Sequence, residues 1–158
     1  MKNKLSAGMI AGCVTLVLSL VGFILYLVNI NASGYFQGGN VPQAQLYVIL
    51  GMITIVAGIC ISFVDIKGVA GKVADIAGDI LKVISPILIS ASLMTLVGSR
   101  VEGFAFIYFS NADVLTEVQS PANLSSAHIA IANIVVMAIA IVAGIVWAFL
   151  GKKRQSSN

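Results

Sequence analysis

The sequence predicts an all-α integral membrane protein, a four-transmembrane-helix bundle with a small extracytoplasmic cap of short strands plus a short helix. Three observations carry this reading. Hydrophobic residues fill 59% of the 158 positions and charged residues 9%, with a mean hydropathy of +1.03, against roughly 25% charged in a soluble domain. Four apolar stretches each reach the ~20 residues a helix needs to cross a hydrocarbon core. Eight of the nine basic residues fall on what would be one side of the membrane. A chain of this length is a single membrane domain, 1–158, whose interior must come from helices packing against one another in lipid.

The first span, 5–28, is the apolar run Leu5–Val28 behind Lys2 and Lys4. It is longer than the roughly 7–15 apolar residues of a secretory signal, so it is expected to be retained even though Ala32 and Gly34 offer small residues for a peptidase. The uncharged loop 29–45 follows, with the turn formers Gly34, Gly38, Gly39 and Pro42 around Tyr35-Phe36. The second span, 46–64, carries Gly51 and Gly58 on one helical face, where a neighbouring backbone can approach closely. Asp65, Lys67, Gly68 and Gly71 open a connector over 65–78.

The third span is placed at 79–98, with its helix starting near residue 72. From Pro86 to Gly98 there are too few residues to cross the core, so Pro86 must be a kink within the helix. Asp79 then lies near one surface and Lys82 about a turn inside it, within snorkelling reach. In the loop 99–127, positions 104, 106 and 108 are Phe, Phe and Tyr, and 105, 107 and 109 are Ala, Ile and Phe. This run reads as a strand that is apolar on both faces, with Tyr35-Phe36 beside it as a second strand. Ser110 is expected to cap a short helix with Asp113 in its first turn. Ser120-Pro121 signals the cap and first residue of the last helix, which outruns the bilayer core before the span at 128–150. The polar tail is 151–158.

Lys2, Lys4, Lys67, Lys72, Lys82, Lys152, Lys153 and Arg154 share one side, and Arg100 alone lies on the other. The positive-inside bias therefore predicts a multi-pass protein of the cell membrane with both termini cytoplasmic and the loops 29–45 and 99–127 outside.

Several function classes are excluded. The basic residues sit at span ends and set orientation, so no nucleic-acid partner is expected. Cys13 and Cys60 lie within apolar runs, form no Cys-x-x-Cys motif, and read as buried inert thiols. His128 has no ligand-spaced companion, so no metal is expected, and no cofactor. No paired nucleophile and base, phosphate loop or intramembrane carboxylate pair occurs, so no catalytic residue and no enzyme activity are expected. Lys72, Asp75, Asp79 and Lys82 read as a solvated stripe rather than an ion path. Ser85, Ser90, Ser92 and Thr95 read as hydroxyls bonding back to helix carbonyls around the proline. Asn31-Ala-Ser and Asn123-Leu-Ser match the glycosylation pattern on the outward side, which matters only in a eukaryotic secretory pathway.

Four spans with inward termini share the topology of tetraspanins, claudins and the MARVEL group. The outer loops, however, hold no Cys-Cys-Gly motif and no cysteine at all. The four-helix quinone-reducing disulfide oxidoreductases are excluded for want of their Cys-x-x-Cys, and no family is assigned. Helix packing is expected through Asn133, whose amide needs a partner in lipid, and through the small-residue repeat containing Ala140 and Gly144. The expected role is a non-enzymatic interaction or accessory subunit that presents its cap through Tyr35, Phe36, Phe104, Phe106, Tyr108 and Phe109. Its partners would be membrane lipids and another membrane or surface protein, or a second copy of itself. The alternative is a small oligomeric transporter or channel, against which the scattered polar side chains count.

Overall fold

The computed structural model describes residues 7–63 and 68–150. Lys2, Lys4, Asp65, Lys67 and the 151–158 tail lie outside the described residues. The chain forms α1 (Ala7–Asn31), α2 (Pro42–Phe63), α3 (Val69–Phe109), α4 (Ala112–Val118) and α5 (Pro121–Phe149). All but α4 are long and apolar enough to cross a membrane, which marks a small multi-pass membrane protein. Among the described residues every regular element is helical.

The four long helices pack in the ring order α1, α2, α3, α5, with α5 closing back on α1. The residues they turn inward recur at alternating steps of three and four. On α1 these are Gly12, Thr15, Ser19, Gly22, Tyr26 and Asn29, and on α5 Ala130, Asn133, Met137, Ala140, Gly144 and Trp147 continue the same period. That is the 3.5-residue seam of a left-handed bundle. Its content differs from that of a soluble bundle, because small and hydroxyl residues face inward while Val14, Val17, Ile53, Val142 and Ile145 face outward. Lipid tails are as apolar as leucine, so turning an aliphatic side chain inward gains little, whereas small residues let the backbones approach.

Glycines accommodate the largest buried side chain. A Cβ at Gly12 would lie 2.9 Å from the Trp147 indole and one at Gly58 would lie 3.0 Å from it. Gly144 sits between α1 and α3, where a Cβ would be 3.3 Å from both Thr15 and Pro86. Pro86 lies inside α3 and supplies no N–H to the carbonyl one turn back, that of Lys82. The Ser85 hydroxyl donates to that carbonyl at 3.3 Å, and Ser90 donates to the Pro86 carbonyl at 2.7 Å. Ser92 departs from this pattern, since its hydroxyl crosses to α2 and donates to the Ala44 carbonyl at 2.7 Å.

The expected strands are absent from the described residues. Residues 101–109, assigned from the sequence to a strand within a loop over 99–127, are instead the last turns of α3, which continues through Gly98 without a break. Gly98 faces open space, with nothing within 4 Å of a Cβ placed there, so it has no role in ending the helix. A run apolar at every position fits helical as well as strand periodicity. Here the three-four seam decides, because Leu96, Arg100, Gly103 and Ile107 carry it on to the end of α3. Tyr35 and Phe36 lie in a turn. Ser110 does not cap α4; its hydroxyl donates back to the Phe106 carbonyl at 2.6 Å, while Gln119 Nε2 donates to the Ile107 carbonyl at 3.1 Å. Ser120 does cap α5, accepting from the Asn123 N–H at 3.3 Å, with Pro121 beginning the helix. Cys13 and Cys60 are free and exposed on the outward faces of their helices, not buried.

The packing yields a paired prediction. Gly144→Leu puts a large side chain between Thr15 and Pro86 and should lower stability by about 1–3 kcal/mol, while Gly98→Leu should leave it unchanged. Thermal unfolding of both variants in detergent checks this, and equal melting temperatures would refute the assignment of the Gly144 contact.

Candidate functional site

The densest polar and aromatic constellation lies at one end of the bundle, where the 32–41 connector between α1 and α2 crosses the ends of α3 and α5. Two glycines in left-handed backbone make the crossing: Gly34 at φ 135° and Gly38 at φ 71°, a region that residues with a Cβ seldom enter. Gly34 also has no room for a side chain, since a Cβ would stand 2.6 Å from the Ala122 carbonyl oxygen and from Ser126 Cβ. The turn is closed by backbone bonds from Gln37 N–H to the Gly34 carbonyl and from Gly38 N–H to the Ile30 carbonyl.

This backbone aims the two adjacent aromatic rings in different directions. Phe36 is buried against Gly103, where even a methyl group would collide with its ring. It meets Phe104 edge-on at 5.4 Å, and the guanidinium carbon of Arg100 lies 4.7 Å from its centroid. Tyr35 is exposed and contacts Phe106 at 5.6 Å between centroids.

Polar side chains from three helices fasten the connector. Asn29 Nδ2 donates to the Ser126 carbonyl at 2.7 Å, and the Ser126 hydroxyl accepts from the Phe36 N–H at 3.3 Å. The Tyr26 hydroxyl donates to Asn40 Oδ1 and accepts from the Val41 N–H, each at 2.8 Å. Arg100 Nη2 donates to the Gly39 carbonyl at 2.9 Å. Arg100 is 3% exposed, its Nε is buried without a hydrogen-bond partner, and no carboxylate pairs with it among the described residues.

Of the sequence-predicted interaction residues, the structure gathers all six at this end but divides them. Phe36 is buried, Phe104 and Tyr108 are partly buried beside it, and Tyr35, Phe106 and Phe109 are exposed, Phe109 to 84%. The predicted packing residues lie elsewhere, along the middle of α5. Asn133 Nδ2 donates to the Gly22 carbonyl of α1 at 2.6 Å and its Oδ1 is buried without a partner, while Ala140 is fully buried. His128 is exposed. At the other end of the bundle, Lys82 turns inward rather than joining the solvated stripe. Its amine pairs with Asp79 Oδ1 at 2.8 Å, the lysine side chain 8% exposed and the aspartate 72%.

The polar side chains that look scattered in sequence converge on the inward seams. Ser85 and Ser92 lie one heptad apart, as do Ser126 and Asn133, and all four are buried. The heptad spacing was the available signal. Arg100, Tyr26, Asn29, Asn40 and Ser126 were missed as a group because the connector that joins them is read only in three dimensions. A cavity of about 10 Å³, lined by Tyr26, Gln45, Ser92 and Met137 among others, is at the lower limit for one water molecule.

Compared with known sequence families, with curated proteins and with solved structures, the chain matches none.

The division of the aromatic residues predicts opposite behaviour on truncation. Phe36→Ala empties a buried socket and should cost about 3–5 kcal/mol, whereas Phe109→Ala, at an exposed position, should stay within about 0.5 kcal/mol of the parent. Detergent-solubilised thermal melts distinguish the two.

Proposed function

We propose that this membrane protein is a non-enzymatic interaction or accessory subunit, and that its docking surface is the exposed aromatic group at the connector end. The observation that carries the reading is that Tyr35, Phe106 and Phe109 stand exposed at the end where Tyr26, Asn29, Arg100 and Ser126 fasten the connector. Phe36, Phe104, Arg100 and Tyr26 form the frame, and a preorganised frame lowers the ordering cost of binding. Aromatic side chains are enriched in protein interfaces, where a rigid ring buries much area at small entropic cost. Phe36 moves from the predicted surface to the frame. The partner is another membrane or surface protein, with lipid around the remaining faces. In this reading the connector end is extracytoplasmic in the cell membrane and both termini are cytoplasmic, following the distribution of basic residues.

The alternative, a small oligomeric transporter or channel, gains one specific support from the inward polar seam with Lys82 and Arg100. A conduit needs continuous space, and the interior of a single chain is packed around Ile55, Ile89 and Trp147. A transport path would therefore run between copies.

Two experiments test the proposal. Single cysteines at Gln37 and Asn111, in a background lacking Cys13 and Cys60, should react with an impermeant maleimide in intact cells, and one at Ser156 should not; a reversed pattern refutes the orientation. Phe106→Ser and Phe109→Ser should each abolish cross-linking to the co-purifying partner while leaving insertion and melting temperature unchanged. Wild-type cross-linking in both variants would remove the basis for the interaction reading.

A further inference from the structure

We infer that Arg100 is the receptor for a phosphate oxyanion at the connector end, and that the Gly39 carbonyl occupies the anion's place in the closed connector. A guanidinium offers five N–H donors in a planar fork. Arg100 shows one hydrogen bond, to a neutral carbonyl, with a ring face beside it and an orphaned Nε. A buried cation without a counter-anion is among the costliest arrangements a protein holds. Exchanging the carbonyl for an oxyanion would supply two parallel charge-assisted bonds, each roughly twice as strong as a neutral one.

Two further features favour phosphate and a route to it. Arg100 and Lys82 are buried on the same helix, about 27 Å apart at 1.5 Å per residue, close to the ~30 Å of a hydrocarbon core. Arg100 therefore stands at the level of phospholipid headgroups, and phosphate chemistry is present there at high local concentration. The segment that covers it is the Gly38–Gly39 turn. Nothing lies within 4 Å of a Cβ built on Gly38, so the turn is open on its outer side, while one on Gly39 would lie 2.7 Å from Arg100 Nη1. For the fork to be reached this turn must swing outward, giving up the Arg100–Gly39 bond and the Gly38–Ile30 and Gly39–Phe36 backbone bonds that close it. The phosphate comes either from a lipid headgroup or from free phosphate, and the chemistry at the guanidinium is the same.

Arg100 and Arg154 are the chain's two arginines, so an Arg154→Lys variant of the full chain, labelled with ¹⁵N-arginine, gives a single side-chain Nε–H resonance. In detergent micelles it is titrated with sodium phosphate, with sodium chloride at matched ionic strength, with short-chain phosphatidylglycerol, and with a phosphate-free glycolipid of the same acyl chains. The expected result is a saturable shift and slower hydrogen exchange of the Arg100 Nε–H with a phosphate-bearing probe and not with its matched control. A response to phosphatidylglycerol alone identifies the headgroup as the source; a response to both identifies free phosphate as sufficient. No response to either, or an equal response to the controls, overturns the inference. Arg100→Lys, which keeps the charge but loses the fork, should weaken the thermal stabilisation by phosphate roughly tenfold in apparent affinity; if that variant does not fold, the resonance of the parent still decides.

Discussion

In hydrocarbon a polar group has no solvent to fall back on, and an aliphatic group has no reason to leave its surroundings. That inversion governs this bundle. Hydroxyls, amides and the two buried cations are turned inward because only the protein offers them partners. Each partner is a specific carbonyl or side chain: Gly22 for Asn133, Ala44 for Ser92, Gly39 for Arg100, Asp79 for Lys82. Many branched aliphatic residues face outward, and glycine and alanine stand at close helix contacts around an inner cluster of Val48, Ile55, Ile89, Leu96 and Trp147.

The four spans were legible because the hydrophobic run length of a membrane helix is a strong signal and Pro86 forced the third helix to begin early. What could not be read was where α3 ends. Gly98 followed by Ser99 and Arg100 has the form of a helix terminus, and the run after it is apolar at every position, so period alone could not separate strand from helix. The tertiary structure decides through Gly103, which must lie on the inner face of a helix to receive the Phe36 ring. Arg100 misleads for a related reason. Its charge suggests a membrane boundary with the side chain in water, but the connector folds over it and supplies a carbonyl and an aromatic face in place of water.

The candidate site was legible in composition and not in arrangement. All six aromatic residues singled out from the sequence gather at one end, but adjacent Tyr35 and Phe36 diverge because the glycine-bounded turn sets one outward and one inward. A strand reading also separates neighbours onto two faces; it assigns Phe104, Phe106 and Tyr108 to one side, whereas on the helix Phe104 and Tyr108 lie toward the interior and Phe106 away from it. Polar residues that anchor the connector come from Tyr26, Asn29, Arg100 and Ser126, far apart in the chain, and no local pattern announces such a group.

The unequal helix lengths have a mechanical meaning. α3 has 41 residues and α2 has 22, about 60 Å and 33 Å at 1.5 Å per residue. A bilayer that thickens or thins by a few ångströms slides along α3 and still meets helix. At its Pro42 end α2 begins directly at the connector, so hydrophobic mismatch there would be met by tilt or by strain at that end. Pro42 follows directly on the Tyr26, Asn40 and Val41 hydrogen bonds that fasten the connector. Strain from a mismatched bilayer at that end would fall on the same hydrogen bonds that hold the turn over Arg100, so the lipid would act there as a tension as well as a solvent.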